Sequence, residues 1–302
     1  MVSFSGIGVH SGAEATLTLY PADRNTGIVF RRDTALGPVE IPARHDHVSA
    51  AELSTVLGDI GRGGVATVEH FLAACRGVGL DNVIAEMDAP EAPILDGAAE
   101  TFMAGMLDTG LKRQDAPRRY IRVERAVRIE RGDAWAEITP NPRGLRVDVE
   151  IDFPCDLIGR QRLVLDVTPA AFRREVAWAR TFGFLKDVER LWAAGFARGS
   201  SLDNSIVIDG ERVLNTEGLR APDHFVRHKA LDAVGDLALA GLPILGTYRS
   251  YKGGHRLNVE MVRTLLADRS AWSQWEAEAP QPVVGHAELL PSFAPAYAPD
   301  RG

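Results

Sequence analysis

Cysteine is nearly missing from this chain of 302 residues: there are two, Cys75 and Cys155, far apart and outside any CxxC pair. That excludes a disulfide framework and a thiolate metal site, and it fits a reducing compartment. No stretch approaches the ~20 apolar residues that cross a bilayer, so no membrane span is expected and any membrane contact would be peripheral. The first residues, MVSFSGIGVHSG, have neither the basic start nor the apolar run of a secretory signal, and the expected location is cytoplasmic. Basic charge is not in surplus either. Against 34 Lys and Arg stand 41 Asp and Glu, a net charge of -7, and the cations are scattered rather than gathered in a stripe. Nucleic acid is therefore not an expected partner, and an anionic substrate would need a local basic pocket.

What is present is an ordinary globular composition and a length that suggests two domains. Residues 14 to 20 and 28 to 32 read as strands broken by Pro21, Asn25 and Gly27. In TVEHFLAACRGVGL, Val68, Phe71, Leu72 and Cys75 fall at helical spacing, and Gly77 or Gly79 ends the run. A strand, NVIAEM, a Pro-punctuated loop and a second helix from about Glu100 to Asp108 follow. After the polar linker KRQDAPR the order returns: strands at 119 to 130, 134 to 139 and 145 to 151, a long helix at about 222 to 240, a strand at 244 to 251 and a helix at 256 to 268. The expected fold is α+β, with a first domain at 1–113, a second at 118–275 and a Pro- and Ala-rich tail at 276–302 that has no periodic apolar face and is expected to be disordered. Its apolar patch, Leu289 to Phe293, is a candidate recognition segment.

Chemistry concentrates in three segments. In HKALD, His228 and Asp232 stack four residues apart on one helix face, where an imidazole and a carboxylate can share one metal ion. Alone, such a pair also suits a buried histidine bonded structurally to its neighbour, and that reading stays open. Glu69-His70 lies on the other predicted core helix. His70, His228 and Asp232 would complete the three-ligand set of a catalytic zinc, with Glu69 as general base. HExxH is absent, and HxxEH fails because Ala66 stands where its first histidine would be, so a known zinc peptidase pattern is excluded. In YKGGHRLN, His255 ends a strand at a helix start. Held by Asp236, it is a candidate to stabilise an oxyanion and protonate a leaving amine. Two histidines and a carboxylate also suit a non-haem iron oxygenase, which keeps that class open. His45 and His47 are expected on one strand face at the surface, His10 is a further candidate to approach a substrate, and His224 and His286 have no telling context.

At these residues the chain resembles the UDP-3-O-acyl-N-acetylglucosamine deacetylase family. GIGVHSG, TVEHFLAA, DNVIAEMDAPEAPILDGAA, ARTFGFLKDVE, SSLDNSIVIDGERVLN, GLRAPDHFVRHKALDAVGDL and YKGGHRLN are similar to family segments, in the family's order, over about residues 4 to 268. The resemblance implies two similar domains, each a β-sheet with two helices, packed as a β-α-α-β sandwich with an insert in each. It implies hydrolysis of the acetamide of UDP-3-O-(3-hydroxyacyl)-N-acetylglucosamine, releasing acetate, in Gram-negative lipid A biosynthesis. His70, His228 and Asp232 would hold zinc, with ferrous iron as the alternative. Glu69 would be the general base, His255 the acid or oxyanion group, Asp236 its orienting partner, and Thr181 a further oxyanion contact. Phe182 would touch the sugar and Lys229 the phosphates, with Lys252 and Asp187 as further substrate contacts. The stretch from about Phe182 to Asn215 would form the acyl passage, to which Phe184, Leu185, Leu191, Trp192, Phe196 and Leu202 are suited. A monomer is expected, with a tail open to protease recognition. The chain departs from the family at Ser200, where a glycine is usual, at Ser54, where some members carry a cysteine, and in a short first strand or misassigned start.

Overall fold

A computed structural model describes residues 1–277, and the tail segment around Leu289 to Phe293, with His286, lies outside the described residues. Four strands open the chain: β1 (Val2–Ile7), β2 (Glu14–Pro21), β3 (Ile28–Thr34) and β4 (Gly37–Pro42). Three short ones, β5 (Val48–Ala50), β6 (Val56–Leu57) and β7 (Val65–Ala66), form a small sheet of their own, from which Ala66 also bridges to Glu91. Then come helix α1 (Glu69–Val78), strand β8 (Val83–Met87) and helix α2 (Glu100–Thr109). Strand β8 slots between β2 and β3, antiparallel to the first and parallel to the second, giving the order β1-β2-β8-β3-β4.

The second half repeats the plan. Its strands are β9 (Arg119–Val123), β10 (Val127–Arg131), β11 (Ala134–Pro140), β12 (Leu145–Asp152) and β13 (Arg160–Asp166). An excursion follows, made of α3 (Pro169–Glu175), β14 (Phe182–Phe184), α4 (Leu185–Ala193), β15 (Ile206–Asp209) and β16 (Arg212–Val213). Helix α5 (His224–Leu237), strand β17 (Ile244–Tyr251), helix α6 (His255–Ala267) and strand β18 (Trp272–Glu276) complete the described chain. Strand β17 enters between β11 and β12 as β8 enters between β2 and β3, giving β10-β11-β17-β12-β13. The repeat read from the order of elements is therefore also a repeat of topology. Strand β18 pairs Glu276 with Arg119, and the Ala277 N–H donates to the Arg118 carbonyl at 2.9 Å.

The two sheets are the outer layers and the helices the inner ones. Phe30 on β3, Phe71 on α1, Phe102 on α2 and Phe4 on β1 stack edge to face with centroids 5.0 to 5.7 Å apart, which docks the first helix pair on its sheet. Helices α5 and α6 cover the second sheet. Nine of the ten residues of α1 are buried, all but Arg76, and α5 leaves only Arg227 and Lys229 partly open. Helices closed on all sides belong to a core and should be apolar. That α1 and α5 nevertheless carry Glu69, His70, His228, Asp232 and Asp236 makes their meeting line the site to explain.

Candidate metal centre and active site

Gly235 sets how closely α1 and α5 approach. A Cβ there would lie 2.1 Å from the carbonyl oxygen of Glu69, so a side chain at 235 would force the helices apart. Because α1 begins at Glu69, its first two side chains meet the middle of α5. The bond from the His228 Nδ1–H to the Ala179 carbonyl, 3.1 Å, leaves the Nε2 lone pair facing inward. Nε2 of His228 and of His70 stand 3.3 and 3.6 Å from Oδ1 of Asp232. That oxygen is buried and accepts no hydrogen bond. Two ligand atoms on a tetrahedral ion with bonds of ~2.0 to 2.1 Å sit about 3.3 Å apart, so the spacing and the unpartnered oxygen fit a metal ion held by His70, His228 and Asp232. Burial keeps the His228 imidazole neutral by lowering its pKa to about 3, against the pull of Asp232, and a neutral imidazole is the ligating form. Burial also opposes the Asp232 carboxylate, but His228 and Lys229 overcome it and hold its pKa well below the usual range.

One turn along α5, Asp236 is bonded on every side. Thr55 Oγ1 donates to its Oδ1 at 2.7 Å, and Asn258 Nδ2 and His255 Nδ1 reach its Oδ2 at 2.8 Å each. Asn258 in turn accepts from the Tyr248 hydroxyl at 2.5 Å. His255, thus aimed, presents Nε2 at 3.7 Å from Glu69 Oε1 and 3.9 Å from Asp232 Oδ2, beyond hydrogen-bond length to either. Burial alone would lower the His255 pKa; Asp236, Glu69 and Asp232 together raise it to about 9. Glu69 takes the Thr55 backbone N–H on Oε2 at 3.0 Å and leaves Oε1 toward the same space. Its pKa is raised by burial, with His255 and His70 pulling the other way.

The profile of the UDP-3-O-acyl N-acetylglycosamine deacetylase family, LpxC, matches residues 1–267. The chain belongs to this family. It is 51% identical to the UDP-3-O-acyl-N-acetylglucosamine deacetylases of Brucella ovis and Brucella canis over 91% of its own length and 96% of theirs. With that of Brucella melitensis it shares 50% over the same fractions.

Of the four substrate contacts the family resemblance implies, Phe182 and Lys229 adjoin the centre. Phe182 packs edge-on against His228 at 6.0 Å and Phe225 at 4.9 Å. Thr181, its neighbour, is held by backbone bonds to Gly97 and Ile206. Lys229 Nζ reaches Asp232 Oδ2 at 2.6 Å. The other two are engaged elsewhere: Lys252 binds Asp133 at 2.7 Å and Asp187 binds Arg190 on α4. The excursion from 182 to 215 leaves Trp192, Phe196 and Leu202 about half exposed. His45 and His47 do not share a strand face as expected; the bond from the His47 N–H to the Arg44 carbonyl closes a single 3-10 turn there. His224 is buried and accepts the Arg180 backbone N–H at 3.0 Å, a structural role. Sequence reading missed Thr55 and Asn258. Asn258 was within reach, since it follows His255 by three residues on a helix; Thr55 sits in the small β5-β6-β7 region, with no local sign of its partner on α5.

Proposed function

We propose that this protein hydrolyses the acetamide of UDP-3-O-(3-hydroxyacyl)-N-acetylglucosamine, releasing acetate and a free sugar amine, with zinc held by His70, His228 and Asp232. The observation that carries the reading is the unpartnered Asp232 oxygen facing two imidazole nitrogens, with Glu69 and His255 opening onto the same space. Zinc bound there supplies Lewis acidity to the amide carbonyl and lowers the pKa of water; ferrous iron is the alternative for the same donors. Oε1 of Glu69 accepts the proton of the attacking water, its other oxygen being tied to Thr55. The His255 Nε2–H sets positive charge beside the developing oxyanion and delivers a proton to the leaving amine, while Asp236 keeps Nδ1 protonated and the ring aimed. Thr181 joins the oxyanion contacts. Phe182 bounds the sugar and Lys229 meets the phosphates, with Lys252 and Asp187 as outer contacts reached only if they leave Asp133 and Arg190.

Trp192, Phe196 and Leu202 form the mouth of a passage for the 3-O-acyl chain, which explains large apolar side chains half open to water. A cytoplasmic location and a monomeric state go with this reading, the first supported by the free buried thiols of Cys75 and Cys155; no described helix is long and apolar enough to cross a membrane. The test is acetate release from the UDP-sugar with and without its 3-O-acyl chain, before and after chelation. We expect turnover of the acylated sugar, loss on chelation and recovery with one equivalent of zinc. Equal turnover of the unacylated sugar would replace the substrate assignment, and full activity without metal would end the metal reading.

A further inference from the structure

Glu91, in the loop between β8 and α2, is only 3% exposed and has no place in the chemistry above. Its carboxylate is nonetheless engaged on both oxygens, by the loop that carries His10 and by Thr67. Oε1 accepts the His10 backbone N–H and the Thr67 hydroxyl, both at 2.9 Å, and Oε2 accepts the Ser11 N–H at 2.8 Å. Thr67 has a φ of 58°, a left-handed conformation that costs a β-branched residue of order 1 to 3 kcal/mol, and it lies two residues before Glu69. Gly8 lets the loop close over the carboxylate, since a Cβ there would lie 2.3 Å from Oε2. On its outer side the same loop accepts backbone bonds from Arg198 and Gly199, and the His10 ring stacks edge-on against Phe196 at 6.0 Å. Nδ1 of His10 is buried without a hydrogen-bond partner. Burial lowers the His10 pKa against the pull of Glu91, and His255 is near enough to lower it further.

We propose that Glu91 is a positioning residue for the deacetylation: it fixes His10 between the reacting centre and the mouth of the acyl passage. The proposal rests on the function given above. Glu91→Gln keeps the volume but turns one oxygen into a donor, which must face either the Ser11 N–H or the His10 and Thr67 donors. In the zinc-loaded full chain we expect kcat/KM to fall roughly 10- to 100-fold, as misplacement of site groups does, with zinc content and cooperative melting retained. In a His10→Ala background the same change should cost less than about twofold, because coupled groups do not lose independently. Gly8→Ala, which displaces the carboxylate without removing it, should behave alike in both backgrounds and carries the test if Glu91→Gln does not fold. Wild-type rates in both single variants, or losses that persist in full without His10, overturn the proposal. A wild-type chain that releases no acetate overturns the functional reading instead.

Discussion

Asp232 and Asp236 stand one turn apart on α5, equally enclosed, and the molecule treats them in opposite ways. Both oxygens of Asp236 are bonded, by Thr55, Asn258 and His255. Asp232 has one oxygen on Lys229 and the other on nothing, beside two imidazole nitrogens. A buried acceptor left unsatisfied costs about 1 to 3 kcal/mol, more when charged. A fold that satisfies one carboxylate so fully and leaves its neighbour bare is shaped for a ligand at the second. Burial and charge do not separate a metal ligand from an orienting group; the hydrogen-bond inventory does.

The sharpest way to break the comparison is to remove the same charge from each position. Asp232→Asn should lose stoichiometric zinc and lower kcat by more than ~10²-fold, a larger loss than the hydrogen-bond partners of metal ligands give. It also deprives Lys229 of its carboxylate. Metal analysis of the purified variant decides: zinc held as tightly as in the wild type would remove Asp232 from the ligand set.

Much of this centre is legible in the amino-acid sequence. Helical periodicity places Glu69-His70 and His228/Asp232/Asp236 on core helices, and polar groups on such helices need a reason. What the residues do not supply is the meeting of α1 with α5. That depends on Gly235, whose close contact with the Glu69 carbonyl oxygen is a fact of packing between positions 166 residues apart in the chain. Thr55 and Glu91 escape for the same reason, their partners being distant in sequence. The repeated order of elements is visible, but the insertion of β8 and β17 into equivalent places in their sheets is not, because strand order is a tertiary property. The 3-10 turn at His45–His47 reads wrongly as strand, since alternation over three residues does not distinguish the two.

Asp236→Asn is the intermediate case. Zinc should stay bound, because the residue touches no ligand atom of the triad. His255 loses the nearest of the anions that raise its pKa to about 9, and its ring loses a charged acceptor. On the proposed roles the rate should fall as pH rises through the His255 pKa and fall on the acid side as Glu69 takes up a proton, giving a bell whose limbs belong to the coupled set. The variant should lower kcat by roughly 10- to 100-fold and move the alkaline limb to lower pH, leaving zinc content unchanged. An alkaline limb that does not move would mean that another group sets it.

The smallest effect is expected at His224, one turn before His228 and just as buried. Its Nε2 accepts the Arg180 N–H, and burial lowers its pKa to about 4. A histidine whose folded pKa is depressed contributes stability that is present above its unfolded value, about 6.5, and is lost as pH falls toward the folded one. His224→Gln should leave zinc content and kcat near wild type and cost about 1 to 3 kcal/mol at pH 7 through the disturbed bond to Arg180. The loss should shrink between pH 6.5 and 4, since the variant has no imidazole to charge. Urea melts of both proteins, metal-free, isolate this difference, because His228 is equally depressed by burial in each and cancels. A difference constant with pH would show that His224 does not titrate over this range. Lost zinc would instead tie it to the metal centre and undo the contrast between the two histidines on α5.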